Sequence, residues 1–304
     1  MEKRSFDVAI IGGGPGGYTA ALYAARSGYR VAVIEKLSPG GQMATTEIVE
    51  NYPGFDNGVD GFELGERMKR GAERFGAVTL FEEVSSAELK SDPKTIVTSA
   101  GEISARSVVI ATGAHPRTLG AAGEKEAAGR GVAYCATCDG LRYKDKTVVV
   151  AGGGNSAAAD ALYLARICKK VYIVHRRDAM KASKVYAVPL EKSGVEFVWN
   201  SRIEKILTDK TVTGVVLADV KTGENRELAC DGVFVAIGRD PDTKLFRGQI
   251  DLDDSGYIIA GEDTKTSLSG VFAVGDVRTK PLRQIVTATA DGATASMFIE
   301  EYLR

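Results

Sequence analysis

The 304-residue chain has almost no net charge: 39 Lys and Arg stand against 40 Asp and Glu, giving −1 at neutral pH. That balance leaves no electrostatic attraction for a nucleic acid or a polybasic mode of membrane binding. Histidine is scarcer, with only His115 and His175. No apolar run approaches the roughly 18–20 residues of a membrane span. The opening apolar stretch is cut by Gly12, Gly13, Gly14 and Pro15, so it does not read as a signal peptide. Four cysteines are too few for a disulfide scaffold. The expectation is a soluble, cytoplasmic protein of about two domains. What the chain has in excess is glycine, 35 residues, above the usual share of about 7%; where those glycines fall sets the architecture.

Laid on itself with an offset of 140, the chain matches without gaps. DVAIIGGGPGGYTAALYAARSGYRVAVIEK (7–36) falls on TVVVAGGGNSAAADALYLARICKKVYIVHR (147–176). Each copy reads as an apolar strand, a glycine turn, an Ala/Leu-rich helix and a second strand. This is a βαβ unit with the G-x-G-x-x-G/A fingerprint, Gly17 and Ala157 taking the third small position. The first glycine permits the tight turn and the second lets backbone approach a pyrophosphate. The third small residue packs helix on strand, leaving N-terminal amides for phosphate. The expected fold class is therefore α/β, with two Rossmann-like dinucleotide-binding domains.

VVIATGAHPR (108–117) and VFVAIGRDPD (233–242) read as the last strand of each unit and the exit from it. LSGVFAVG (268–275) reads as a further buried strand, and residues from about 281 to 303 as a helix with small residues on one face. GFELGERMKRGAERFG (61–76) reads as an amphipathic helix. The first domain is thus expected from both chain ends, 1–113 and 244–304, with the second inserted at 114–243.

The residue after the second strand meets the adenosine ribose. In the first copy it is Glu35, which suits ribose hydroxyls and repels a 2′-phosphate. In the second it is His175, followed by Arg176 and Arg177, whose guanidinium groups suit a 2′-phosphate. The first domain is therefore expected to hold FAD or a similar unphosphorylated dinucleotide, and the second NADPH. Gly275-Asp276, directly after a buried strand, offers a carboxylate for a ribitol hydroxyl.

Cys135-Ala-Thr-Cys138-Asp139 precedes the second repeat. A C-x-x-C pair in a cytoplasmic chain is half a metal site or a redox dithiol. A structural zinc needs four ligands, and Cys168, Cys230 and the two histidines are scattered, so no metal is expected. Beside a flavin and a nicotinamide, a dithiol can pass an electron pair to an external disulfide. Asp139 is the nearest acid/base candidate.

At this point the chain resembles the low-molecular-weight bacterial thioredoxin reductases over essentially its whole length. The matching motifs are GGGPGG (12–17), GGQMATTEIVENYPGF (40–55), ATG (111–113), CATCDG (135–140), GGGNSA (152–157), HRRDAMKA (175–182), GDV (275–277) and RQI (283–285). The resemblance implies FAD contacts from Gly12, Gly14, Pro15, Glu35, Gly41, Gln42, Asn51, Ala111, Gly113, Gly275, Asp276, Arg283, Gln284 and Ile285. It implies NADPH contacts from Gly152, Gly154, Asn155, Ser156, His175, Arg176, Arg177 and Lys181. Cys138 would lie beside the flavin and Cys135 would attack thioredoxin, in a homodimer whose inserted domain rotates about 114–118 and 239–244. Lys181 departs from the family's usual Arg. Glutathione-reductase-like proteins place their cysteines soon after the first glycine motif, where residues 40–50 hold none. A dithiol oxidase would not need Arg176 and Arg177, and a redox-sensing binding protein would not need an intact CxxCD.

Overall fold

The computed structural model describes residues 3–304. In chain order its strands and helices are β1 (Lys3–Ile11), α1 (Pro15–Arg26), β2 (Val31–Glu35), α2 (Gly61–Glu73), β3 (Val78–Phe81), β4 (Val84–Glu88), β5 (Lys94–Thr98), β6 (Gly101–Ile110) and β7 (Ala114–Pro116). Then come α3 (Glu124–Ala127), β8 (Val132–Ala133), α4 (Ala136–Asp139), β9 (Thr147–Ala151), α5 (Asn155–Leu164), β10 (Lys170–Val174) and α6 (Lys184–Glu191). The chain ends with β11 (Glu196–Val198), β12 (Ser201–Thr208), β13 (Val212–Asp219), β14 (Asn225–Ala229), β15 (Gly232–Val235), β16 (Arg239–Pro241), β17 (Val271–Ala273) and α7 (Ile285–Leu303). Two compact units result: residues 1–115 with 240–304, and residues 116–239. The chain crosses between them in β7 and β16, which pair with each other.

In the first unit the sheet runs β3-β2-β1-β6-β5-β4. β6 is long enough to serve two neighbours on one side: β5 pairs antiparallel along its first half, and β17 pairs parallel at Val108–Ile110. The central parallel strands are buried on both faces along their unbroken apolar runs, Val8–Ile11, Val31–Ile34 and Val108–Ile110, while the edge strand β3 is largely open. Alternation along β1 sends Val8 and Ile10 into the core beneath α1 and α7, and Ala9 and Ile11 into the core on the other face. α7 begins at Ile285, after the expected start near 281. It lays Ala288, Asp291, Gly292, Ala295, Ser296 and Ile299 against the core. A Cβ on Gly292 would strike the Gly16 carbonyl oxygen, so the two helices meet backbone to backbone.

In the second unit the order β11-β10-β9-β15-β8 repeats the pattern. The register repeats too. Val8 lies opposite Val31 and Ile11 opposite Ile34, while Val148 lies opposite Val171 and Ala151 opposite Val174, each pair displaced by the same 140 residues. The face alternation follows, Val148 and Val150 packing with α5 and Val149 and Ala151 facing the other core. An antiparallel sheet, β12-β13-β14, covers that second face. Together with β4–β5 it is the part of the architecture that the repeat does not announce.

Candidate functional site

Each glycine turn is built the same way. Gly12 N–H donates to the Ile34 carbonyl at 2.9 Å and Gly152 N–H to the Val174 carbonyl at 3.1 Å. Both glycines have positive φ, +105° and +154°. A Cβ at Gly12 would hit the Ala111 carbonyl oxygen, and one at Gly152 that of Ala236. Neither α1 nor α5 carries a side-chain cap at Gly14 or Gly154. Their first amides are therefore open to an anion. A side chain at Gly14, Gly113 or Gly154 would meet only open space. These turns fit the pyrophosphate of a dinucleotide.

Within the first unit the Glu35 carboxylate accepts from Gly13 N–H at 2.7 Å and Leu37 N–H at 2.9 Å, so it braces the turn while staying half-exposed at its rim. Gly41 faces the Cα of Gly14, and Gln42 donates to the Ala114 carbonyl. Asn51 donates to Gln284 at 3.0 Å, joining two expected site residues that are far apart in sequence. Gln284 also caps α7 in a capping box with Thr287. Ile285 packs on the Met43–Leu64 cluster. Asp276 follows β17 in a single tight turn, Gly275–Val277. Arg283 donates to the Asp276 carbonyl at 3.3 Å and lies 4.0 Å over the Tyr257 ring.

In the second unit Asn155 accepts from Ser183 N–H at 2.8 Å, and Lys181 N–H donates to the Gly153 carbonyl at 2.7 Å. Ser156 is exposed in the first turn of α5. Arg176, Arg177 and Lys181 are exposed, and among the described residues none has a side-chain hydrogen bond or ion pair. His175 behaves differently from its charged neighbours. Its ring lies directly under Gly153, and its Nε2 is buried without a hydrogen-bond partner. Burial first, then Arg177 and Arg176, hold its pKa below the ordinary value, so the imidazole is neutral at neutral pH and packs beneath the turn.

The dithiol lies at the edge of this second sheet, where β8 pairs with β15. Cys135 and Cys138 form a disulfide with Cα atoms 5.3 Å apart. Cys135 is half-buried at the start of α4, and Cys138 is exposed. Cys135 Sγ lies 3.4 Å from Thr137 Oγ1. α4 is a single turn and supplies little macrodipole. It is fixed by Gly140, where a Cβ would crowd the Tyr163 ring of α5. Burial raises the pKa of Asp139 against the opposing charge of Arg142, so its carboxyl keeps a proton to higher pH than an ordinary aspartate and suits proton transfer beside sulfur. Among the described residues no cluster of His, Cys, Asp and Glu could hold a metal ion.

Residues 6–292 match the family of pyridine nucleotide-disulphide oxidoreductases. The thioredoxin reductase of Streptomyces clavuligerus is 46% identical over 98% of this chain and 94% of its own. The chain belongs to the thioredoxin reductase family. A solved thioredoxin reductase from Streptococcus pyogenes, 42% identical over 99% of both chains, superposes with a TM-score of 0.92. That of Lactococcus lactis in its FR conformation, 41% identical over 98% of this chain and 99% of its own, gives 0.68. The thioredoxin reductase family uses FAD and NADPH, the pair of nucleotides that the two turns fit.

The structure adds a residue that the motifs of this thioredoxin reductase fold did not bring forward. Asp291 is buried on α7, and its carboxylate accepts from Gly275 N–H at 2.8 Å, Arg278 Nε at 2.9 Å and Arg278 Nη2 at 2.6 Å. Lys280 Nζ adds a bond of 2.7 Å. It thereby shapes the loop that carries Asp276 and Arg283. Its signal was present, since an acid falls on the small-residue stripe of a helix otherwise buried there. Glu124, 2% exposed, does similar work before the dithiol, accepting from Leu119 and Gly120 amides at 2.9 Å and from the Tyr134 hydroxyl at 3.0 Å.

Proposed function

We propose that this protein is an NADPH-dependent thioredoxin reductase, and the observation that carries the reading is the Cys135–Cys138 disulfide in a unit with its own dinucleotide turn. Residues 1–115 with 240–304 hold FAD through the Gly12–Pro15 turn, Glu35, Gly41, Gln42, Asn51, Ala111, Gly113 and the loop from Gly275 to Ile285. Residues 116–239 hold NADPH through the Gly152–Ser156 turn, with Arg176, Arg177 and Lys181 on the 2′-phosphate and His175 bracing the turn from below. When bound, FAD relays an electron pair from the nicotinamide to the disulfide.

The reduced dithiol then acts by exchange. The Cys135 thiolate attacks the disulfide of thioredoxin, forming a mixed disulfide and releasing one thiolate. Cys138 attacks Cys135 Sγ, which re-forms the internal disulfide and expels the second thiolate. Thioredoxin gains two electrons and two protons, and the enzyme dithiol loses them. Asp139 moves one of those protons. We take the partner to be a thioredoxin-like protein, the assembly to be a homodimer and the compartment to be the cytoplasm. Among the described residues no helix is long and apolar enough to cross a membrane.

Dithiol and nicotinamide belong to one unit and must reach a flavin in the other, so the inserted unit turns about β7 and β16 between half-reactions.

An anaerobic NADPH titration tests the whole reading. A flavin and a disulfide together take up about four electrons per subunit. C135S/C138S protein should take up two, and protein with its units locked by a cross-link should never reach four. Two electrons in the wild type would disconnect the dithiol from the flavin, and none would overturn NADPH as donor.

A further inference from the structure

The arginine pair that would meet the 2′-phosphate is exposed, and among the described residues its side chains make no hydrogen bond or ion pair that would aim it. Its main chain, however, is held from the next strand. His175 N–H donates to the Val198 carbonyl at 3.0 Å, Asn200 N–H to the Arg177 carbonyl at 3.2 Å, and Ser201 N–H to the His175 carbonyl at 3.1 Å. Three bonds in three residues extend the β10–β11 pairing past the ends of both strands, onto the two-residue link Trp199–Asn200.

That link has an unusual shape. Asn200 has φ +50°, a left-handed conformation that Asn and Gly tolerate and β-branched residues do not. It turns the chain from β11 into β12 while its N–H faces Arg177. Its own carbonyl accepts from Val220 N–H at 2.7 Å, so Asn200 is fastened on both sides. Trp199 completes the clamp. Its ring stacks on Phe197 at 4.7 Å, nearly parallel, and meets His175 edge to face at 6.4 Å. A backbone held this way limits where Arg176 and Arg177 can point, and bidentate phosphate binding depends on that direction.

We propose that Trp199 and Asn200 are positioning residues for the 2′-phosphate of NADPH, setting its preference over NADH by clamping the His175–Arg177 segment from the neighbouring strand. This rests on the reading that Arg176 and Arg177 receive that phosphate. The clamp acts through the main chain and the His175 ring, so the effect falls on affinity and selectivity and leaves the chemical step alone.

The test measures equilibrium binding of adenosine 2′,5′-bisphosphate to the FAD-loaded protein, together with the ratio of kcat/KM for NADPH to that for NADH. W199A and N200V should each weaken bisphosphate binding and lower the ratio about tenfold, the misalignment of one charge-assisted hydrogen bond. KM for NADPH should rise with kcat and flavin content unchanged. W199F keeps the stack and N200G keeps the left-handed turn, so both should retain wild-type selectivity. An unchanged ratio in W199A and N200V overturns the proposal, as does equal weakening of both nucleotides or failure of N200G to preserve what N200V loses. R176A/R177A separates the two levels of the argument. If it leaves bisphosphate affinity untouched, the arginine reading itself fails. If it abolishes that affinity while W199A and N200V behave as wild type, only the clamp is wrong.

Discussion

Residues 7–36 and 147–176 share strand register, turn geometry and face alternation, yet they part company where a side chain enters the turn. In the first copy the Glu35 carboxylate accepts from Gly13 N–H. In the second the His175 ring sits beneath Gly153 and forms no such bond at Nε2. Both positions brace a glycine turn, one by a charge-assisted hydrogen bond and one by packing. The backbone is dictated by glycines whose Cβ would collide with a carbonyl oxygen. The bracing side chain is free to differ, so its charge and that of the next two residues can select the nucleotide. A duplicated scaffold thus separates what makes the turn from what the turn recognises.

The third small residue is where this comparison can be broken most severely. A Cβ on Gly17 would penetrate the Gly12 carbonyl oxygen, whereas the second copy already carries Ala157 there. Gly17→Ala should therefore abolish flavin retention or folding of the first unit. Ala157→Gly should cost only about 1 kcal/mol, the helix propensity difference. Flavin content and thermal melting of the two variants decide it, and a stable, yellow Gly17→Ala protein would break the equivalence. Next in size is Glu35→Ala. Losing hydrogen bonds from a charged acceptor costs about 1.5–3 kcal/mol. FAD affinity of the reconstituted apoprotein should fall roughly ten- to a hundredfold, with NADPH selectivity unmoved.

The smallest effect concerns Asp160, which stands where the first copy has the fully buried Ala20. Burial raises its pKa to about 6, with Arg239 opposing. Because the folded value lies above the unfolded one, the folded state binds the extra proton between them. The stabilisation is complete below the unfolded value near 4 and is lost as pH rises through about 6. Asp160→Ala, which makes the second copy like the first, should gain about 1–2 kcal/mol at pH 7.5. The gain should vanish at acid pH. Melting curves at both ends of that window check the sign, and a pH-independent gain would refute it.

Much of this was legible in the amino-acid order because the repeat couples three signals: glycine spacing, strand alternation and the residue after the second strand. The central parallel strands read clearly since their apolar runs are unbroken, but the short parallel strands β3, β8 and β11 did not. Nor did the antiparallel strands. β4 (VSSAE) and β14 (NRELA) are largely exposed, and a strand with little buried face leaves little periodic trace. α2 ends at Glu73 and β17 spans only Val271–Ala273, both shorter than their patterns suggested, since a turn follows each. His175 read as the residue opposite Glu35, ahead of two guanidinium groups, and only the packing under Gly153 shows it as a half-buried ring with its Nε2 enclosed. Trp199 and Asn200 were silent because a clamp made of main-chain bonds and one left-handed residue has no motif.

The placement of β17 and α7 has a consequence for how the molecule comes into being. β17 completes the first sheet beside β6, and α7 covers α1, yet both are encoded after the whole inserted unit. On the ribosome, residues 116–239 are therefore finished while their host still lacks a strand and a helix. At roughly 5–20 residues per second, the remaining stretch takes several seconds to emerge. During that interval the face of α1 that meets α7, with Gly16, Thr19 and Ala20, has nothing to lie against. The guest unit matures first, and the unit that encloses it in sequence is the last to close.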